Sequence, residues 1–92
     1  MVECGVKIVN RLGLHARAAA KLVRAATTFR SVLRLVRADR SGSADAKSIL
    51  SVLMLAASRG TELTVTAEGE DEQEALEALC GLIASGFGEG EE

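Results

Sequence analysis

Glu62-Leu63-Thr64-Val65-Thr66-Ala67 alternates polar and apolar residues, and that alternation decides the layer architecture. Successive side chains of a strand point to opposite faces, so Leu63, Val65 and Ala67 share one face and Glu62, Thr64 and Thr66 the other. A strand covered on both sides would be apolar throughout, as in parallel sheets. Val2, Cys4, Val6 and Ile8 repeat the pattern near the start of the chain, with Glu3 and Lys7 opposite. Strands with one solvated face belong to an antiparallel sheet with helices on its other side. The expectation is an α+β, two-layer domain.

The remaining elements follow outward from this strand. On its C-terminal side Asp71 is expected to cap a helix, and Glu74 completes a capping box. Leu76, Leu79, Cys80 and Ile83 form the buried stripe of that helix, and Gly86 ends it. On the N-terminal side, Ile49, Val52, Leu53 and Ala56 recur at helical spacing, with Gly60 closing the segment. Ser31–Arg37 reads as a strand, Ala38-Asp39-Arg40 as a turn and Ser41–Ala44 as a weak strand. Ala19, Leu22, Val23 and Ala26 mark the first helix, beginning at Ala16. The order is β-α-β-β-α-β-α, one domain over residues 1–88 with a short, flexible acidic tail at 89–92.

Composition excludes several classes of function. The 92 residues carry a formal charge of −2 and only two aromatic residues, Phe29 and Phe87. Neither fits a nucleic-acid binder, which needs basic surface and stacking platforms. The apolar runs are too short to span a membrane, and the start lacks the pattern of a signal peptide. A cytoplasmic location is expected. Cys4 and Cys80 have no metal-ligand spacing, and a reducing compartment would keep both as thiols packed in the core.

His15, the single histidine, stands where the first strand gives way to the first helix. A helix start offers unpaired N–H groups and roughly half a positive charge, which favour an anion. No second histidine exists to complete a metal site. Imidazole can take up and give away a phosphoryl group near neutral pH; alone, a histidine here also serves as a plain cap. Arg17 in the first turn opposes the helix dipole by a few tenths of a kcal/mol, about what a bound anion would offset. Gly13 is positioned to supply an unusual backbone angle before the histidine.

Asn10-Arg11-Leu12-Gly13-Leu14-His15-Ala16-Arg17 with its following alanines, and Phe29-Arg30-Ser31, resemble the phosphorylation-site region of HPr proteins. These are the histidine-containing phosphocarriers of the bacterial phosphoenolpyruvate-dependent phosphotransferase system. Ala46-Lys47-Ser48-Ile49-Leu50 resembles the family's serine-phosphorylation segment, and Ala67–Gln73 its junction into the last helix. The resemblance implies an open-faced β-sandwich, a four-stranded antiparallel sheet covered on one side by three helices. It also implies that His15 accepts phosphate on Nδ1 from phospho-enzyme I and passes it to an enzyme IIA domain, for sugar uptake or nitrogen-linked regulation.

By the same resemblance Arg17 and the backbone of Ala16 and Arg17 hold the phosphoryl oxygens, and Ser48 is the target of an HPr kinase/phosphorylase. Ala16, Ala20, Ile49, Leu50, Leu53 and Met54 would dock partners. No cofactor and no metal are implied, and the chain would act as a monomer, a carrier with a phosphohistidine intermediate more than a turnover enzyme. The alternative is an adaptor of the same fold that binds a transcription factor or enzyme without relaying phosphate. The intact His15/Arg17 pair favours the carrier. One departure stands out: the family usually has proline after the arginine, where this chain has Ala18.

Overall fold

A computed structural model describes residues 1–89. The strands are β1 (Val2–Lys7), β2 (Val32–Arg37), β3 (Ser43–Asp45) and β4 (Glu62–Glu68). They form one antiparallel sheet in the order β1-β4-β2-β3. Val65 lies opposite Cys4 on one side and Leu35 on the other, so the apolar positions of three strands fall in one row. Leu33, Leu35, Leu63, Val65 and Ala67 are buried on that face, while Glu62 and Glu68 remain exposed. The alternation read from the sequence holds.

Helices α1 (Ala16–Ala26), α2 (Ile49–Met54) and α3 (Glu72–Ala84) cover the apolar face. Four α1 residues, Ala18, Ala19, Leu22 and Ala26, are buried on one side. Helix α3 buries Ala75, Leu76, Leu79 and Ile83 and packs on β1 and β4, while α1 packs against α2 and α3. Ala18 occupies the third position of α1, where a backbone N–H lies outside the intrahelical ladder. A proline there would remove no helix hydrogen bond, and alanine keeps the turn.

Three expectations are corrected. Asp71 precedes α3 but makes no capping bond from its side chain. Its carboxylate accepts instead from Ser31 Oγ at 2.6 Å, Arg30 N at 2.9 Å and Ser31 N at 3.0 Å. Those bonds, the Ser31 hydroxyl foremost, hold the Asp71 carboxyl below the usual carboxylate range. Tertiary donors thus displaced the local capping box, and Glu72, not Glu74, reaches back, to Gly69 N at 3.1 Å.

The second correction concerns α2, which spans six residues and buries only Val52. It does not continue to Ala56: that residue adopts a left-handed φ of 55°. The reason is tertiary, because Ala57 O is drawn toward α1 to accept from Leu14 N at 2.9 Å. Ala56, expected to continue the helical spacing, is exposed, as are Ile49 and Leu53, two of the expected docking positions.

The third concerns the cysteines. Antiparallel β1 and the α3 helix above it bring Cys4 and Cys80 together as a disulfide across 76 residues of sequence. Two separate core thiols are therefore not what the fold presents. Among the described residues no helix is long and apolar enough to cross a membrane.

Candidate functional site at the start of helix α1

The chain reaches the site through a close approach of backbone to backbone. Gly13 has φ 67°, and a Cβ there would lie 2.7 Å from Ala57 O and 2.9 Å from Ser58 Cα. Only glycine tolerates both the left-handed angle and the contact. The unusual angle anticipated for Gly13 is thus present. Leu14 follows as a buried anchor, and His15 emerges as the N-cap of α1 with extended φ/ψ of −77° and 177°.

The imidazole is held at both nitrogens. Nδ1 accepts from the backbone N–H of Arg17 at 3.2 Å, so that nitrogen carries a lone pair. Nε2 lies 2.6 Å from Glu89 Oε2. The side chain is 23 % exposed, open enough for a partner to reach. Arg17 is more open still, with its Nε 3.8 Å from the same Glu89 oxygen. No acidic residue belongs to the first turn of α1; the carboxylate beside its positive end is that of Glu89, on the Nε2 side of the ring. Ala16 and Arg17 occupy the first two helical positions, whose N–H groups have no intrahelical partner.

Sequence reasoning missed two residues here. Glu89 belonged to the expected tail, yet its side chain is only 2 % exposed and lies against His15; residues 90–92 are outside the described residues. Burial pushes the Glu89 carboxyl up, but hydrogen bonds from Asn10 and His15 and the charges of His15 and Arg17 outweigh it, so the net direction is down. Asn10 donates from Nδ2 to Gly13 O at 2.8 Å and to Glu89 Oε1 at 3.0 Å. No periodicity marks either residue. The signal for Asn10 was its place inside the quoted motif; Glu89 carried none.

Ser48 is the N-cap of α2, where its Oγ accepts from Ser51 N at 3.3 Å. Ile49, Leu50, Leu53 and Met54 are all exposed, Leu50 by 65 % and Met54 by 75 %. Ala16 is exposed and Ala20 half-buried. Leu12, which the sequence did not single out, is also exposed, three residues before His15. A surface hollow of about 380 Å³ is lined by Arg37, Ser43, Ser51, Met54 and Leu55, among others, and not by His15. His15, with its partly exposed side chain, lies outside that hollow. Among the described residues no cluster of side chains could hold a metal ion.

A histidine capping the first helix of an open-faced, four-stranded sandwich defines a class of small single-domain protein. The model of the PTS HPr component phosphorylation site matches residues 2–85. The phosphocarrier protein HPr of Cupriavidus necator is 50 % identical over 91 residues, covering 99 % of this chain and all of the relative. That of Pseudomonas aeruginosa is 51 % identical over 86 residues, 94 % of each chain. The crystal structure of HPr-C-His from Thermoanaerobacter tengcongensis superimposes with a TM-score of 0.89 at 42 % identity, covering 97 % of this chain and 98 % of that one. The chain belongs to the HPr family of phosphocarrier proteins.

Proposed function

We propose that His15 accepts a phosphoryl group on Nδ1 from phospho-enzyme I and passes it to the histidine of an enzyme IIA domain. The observation that carries this reading is the state of His15. Its Nδ1 lone pair is directed at the first-turn N–H of Arg17, on a reachable surface at the positive end of a helix. When Nδ1 bonds to phosphorus, the N–H groups of Ala16 and Arg17 become donors to the phosphoryl oxygens, and the exposed Arg17 guanidinium swings onto them. The chemistry is positioning and charge stabilisation of a group in flight. No cofactor is required.

The exposed apolar residues of α2, with Ala16 and Ala20, form a small contact surface suited to partners that bind briefly. Ser48 caps that helix, and an HPr kinase/phosphorylase acting on it would add a charge of about −1.5 to −2 at the edge of the surface. The carrier works as a cytoplasmic monomer, supplying sugar uptake or a nitrogen-linked branch.

Incubation with phosphoenolpyruvate and enzyme I tests the reading. Acid-labile phosphate should appear on the wild type and vanish in His15→Ala. Equal labelling of the two, or no labelling of the wild type, removes the claim.

A further inference from the structure

Beyond α3 the chain does not simply run out. Gly86, Phe87 and Gly88 take left-handed φ values of 71°, 60° and 70° in a short 3-10 turn. Phe87 is buried beneath it, and Lys21 of α1 donates from Nζ to Phe87 O at 2.8 Å. A non-glycine residue in this region of backbone is uncommon and persists where surrounding contacts impose it. The outcome of this turn is the placement of one carboxylate, that of Glu89, on the imidazole of His15.

Asn10 fixes the carboxylate in turn. Both groups facing its Nδ2, Gly13 O and Glu89 Oε1, are acceptors, so the amide has only one workable orientation. Its Oδ1 is buried and meets no donor among the described residues. The residue therefore tolerates an unpaired acceptor while its donor bridges the glycine turn and the carboxylate. The three side chains form a chain of contacts, Asn10 to Glu89 to His15 Nε2.

We propose that Glu89 is the positioning residue of His15: its carboxylate holds the proton on Nε2, reserves Nδ1 for the phosphoryl group, and carries the charge that the ring gains. The inference deepens the carrier reading above and rests on it. In the step itself, the Nδ1 lone pair forms the new N–P bond. The bond from phosphorus to the donor protein's phosphohistidine nitrogen breaks, and its electron pair returns to that nitrogen. The proton stays on Nε2 throughout, so the ring becomes cationic, and the Glu89 carboxylate lies 2.6 Å from the atom bearing that proton. A carboxylate behind a histidine sets its tautomer and stabilises its cation without taking the proton. Arg17, at 3.8 Å from the same oxygen, is held more loosely and is free to turn to the phosphoryl group.

Two readouts test this, the nitrogen NMR shifts of the His15 ring in the unphosphorylated protein and the rate of phosphoryl uptake from phospho-enzyme I. Glu89→Gln retains an acceptor oxygen for the Nε2 proton and lacks the charge. It should keep the tautomer of the wild type and slow uptake about tenfold. Glu89→Ala should let the Nδ1–H tautomer appear and slow uptake about a hundredfold. Glu89→Asp should recover part of the rate, and Asn10→Ala should resemble Glu89→Ala in the tautomer it releases. An Ala variant with the wild-type tautomer and uptake rate overturns the assignment. If the wild type itself takes up no phosphoryl group, the carrier reading falls first; ring shifts unchanged in every variant sink the Glu89 contact separately.

Discussion

Helices α1 and α2 lie against each other and differ in how much of themselves they bury. Helix α1 runs 11 residues, buries four of them, and ends at its N-terminus in a histidine bonded at both ring nitrogens. Helix α2 runs six residues, buries one, and turns Ile49, Leu50, Leu53 and Met54 outward. The first holds a group still; the second presents a surface. Both begin with a polar cap, yet among the described residues only the cap of α1 is tied to a distant part of the chain. Local chemistry suffices to start a helix, whereas fixing a reactive side chain requires contacts from beyond it.

This contrast can be broken first on the holding side. Reducing the Cys4–Cys80 bond, or replacing both residues by serine, should lower stability by about 4 kcal/mol on the loop-closure scale, given their separation of 76 residues. Denaturant titration with and without reductant measures it. Leu22→Ala removes a fully buried side chain from α1 and should cost about 2–5 kcal/mol. The same titration, read against wild type, would show α1 to be no framework if that loss were absent.

On the presenting side the expected effects on folding shrink while those on partners grow. Ser48→Ala loses the cap of α2, a change of about 1 kcal/mol, whereas Ser48→Asp should leave the fold intact and slow transfer from enzyme I. An unchanged transfer rate in Ser48→Asp would remove Ser48 from the docking surface. Leu50→Ala, at an exposed position, should alter stability by less than about 0.5 kcal/mol and weaken enzyme I binding, a difference that calorimetry resolves.

The site's own pH dependence is a further probe of the holding side. The Glu89 carboxyl lies below its ordinary value of 4.5 in the folded protein. Its ionised form is therefore favoured by folding, and the stability it adds is present above that value. It is lost as pH falls through the folded value. Acidification below about 4.5 should loosen the turn at Gly86–Gly88 and free the His15 ring, and the Glu89→Gln variant should not show that component. Ring nitrogen shifts followed across the titration report it.

How much was legible in the sequence differed by element. Strands β1 and β4 declared themselves because one face of each meets water and the other meets the core, and period two records this directly. The stripe of α1 was equally plain. Apolar spacing in α2 could not by itself say whether Ile49 and Leu53 face the core or water, and the fold exposes both. The end of α2 before Ala56 goes with Ala57 O accepting from Leu14 N, a contact 43 residues apart that no local rule contains. Asp71 likewise looked like a cap, and the fold gave its carboxylate to Ser31 and Arg30 instead.

At the site, His15, Arg17 and Gly13 were readable because their chemistry is local: a helix start, a cation near an anion site, a backbone angle. Glu89 was not, because a carboxylate in a glycine-rich end has no pattern until the chain folds back. By itself, then, the sequence determined the two-layer architecture and the place of His15 at the head of α1, through face alternation and helix-start chemistry. Only the tertiary structure decided what grips that imidazole, which thiols meet, and which apolar residues face outward. Those outcomes depend on distances between segments far apart in the chain, which closure of the sheet and packing of its helices set together.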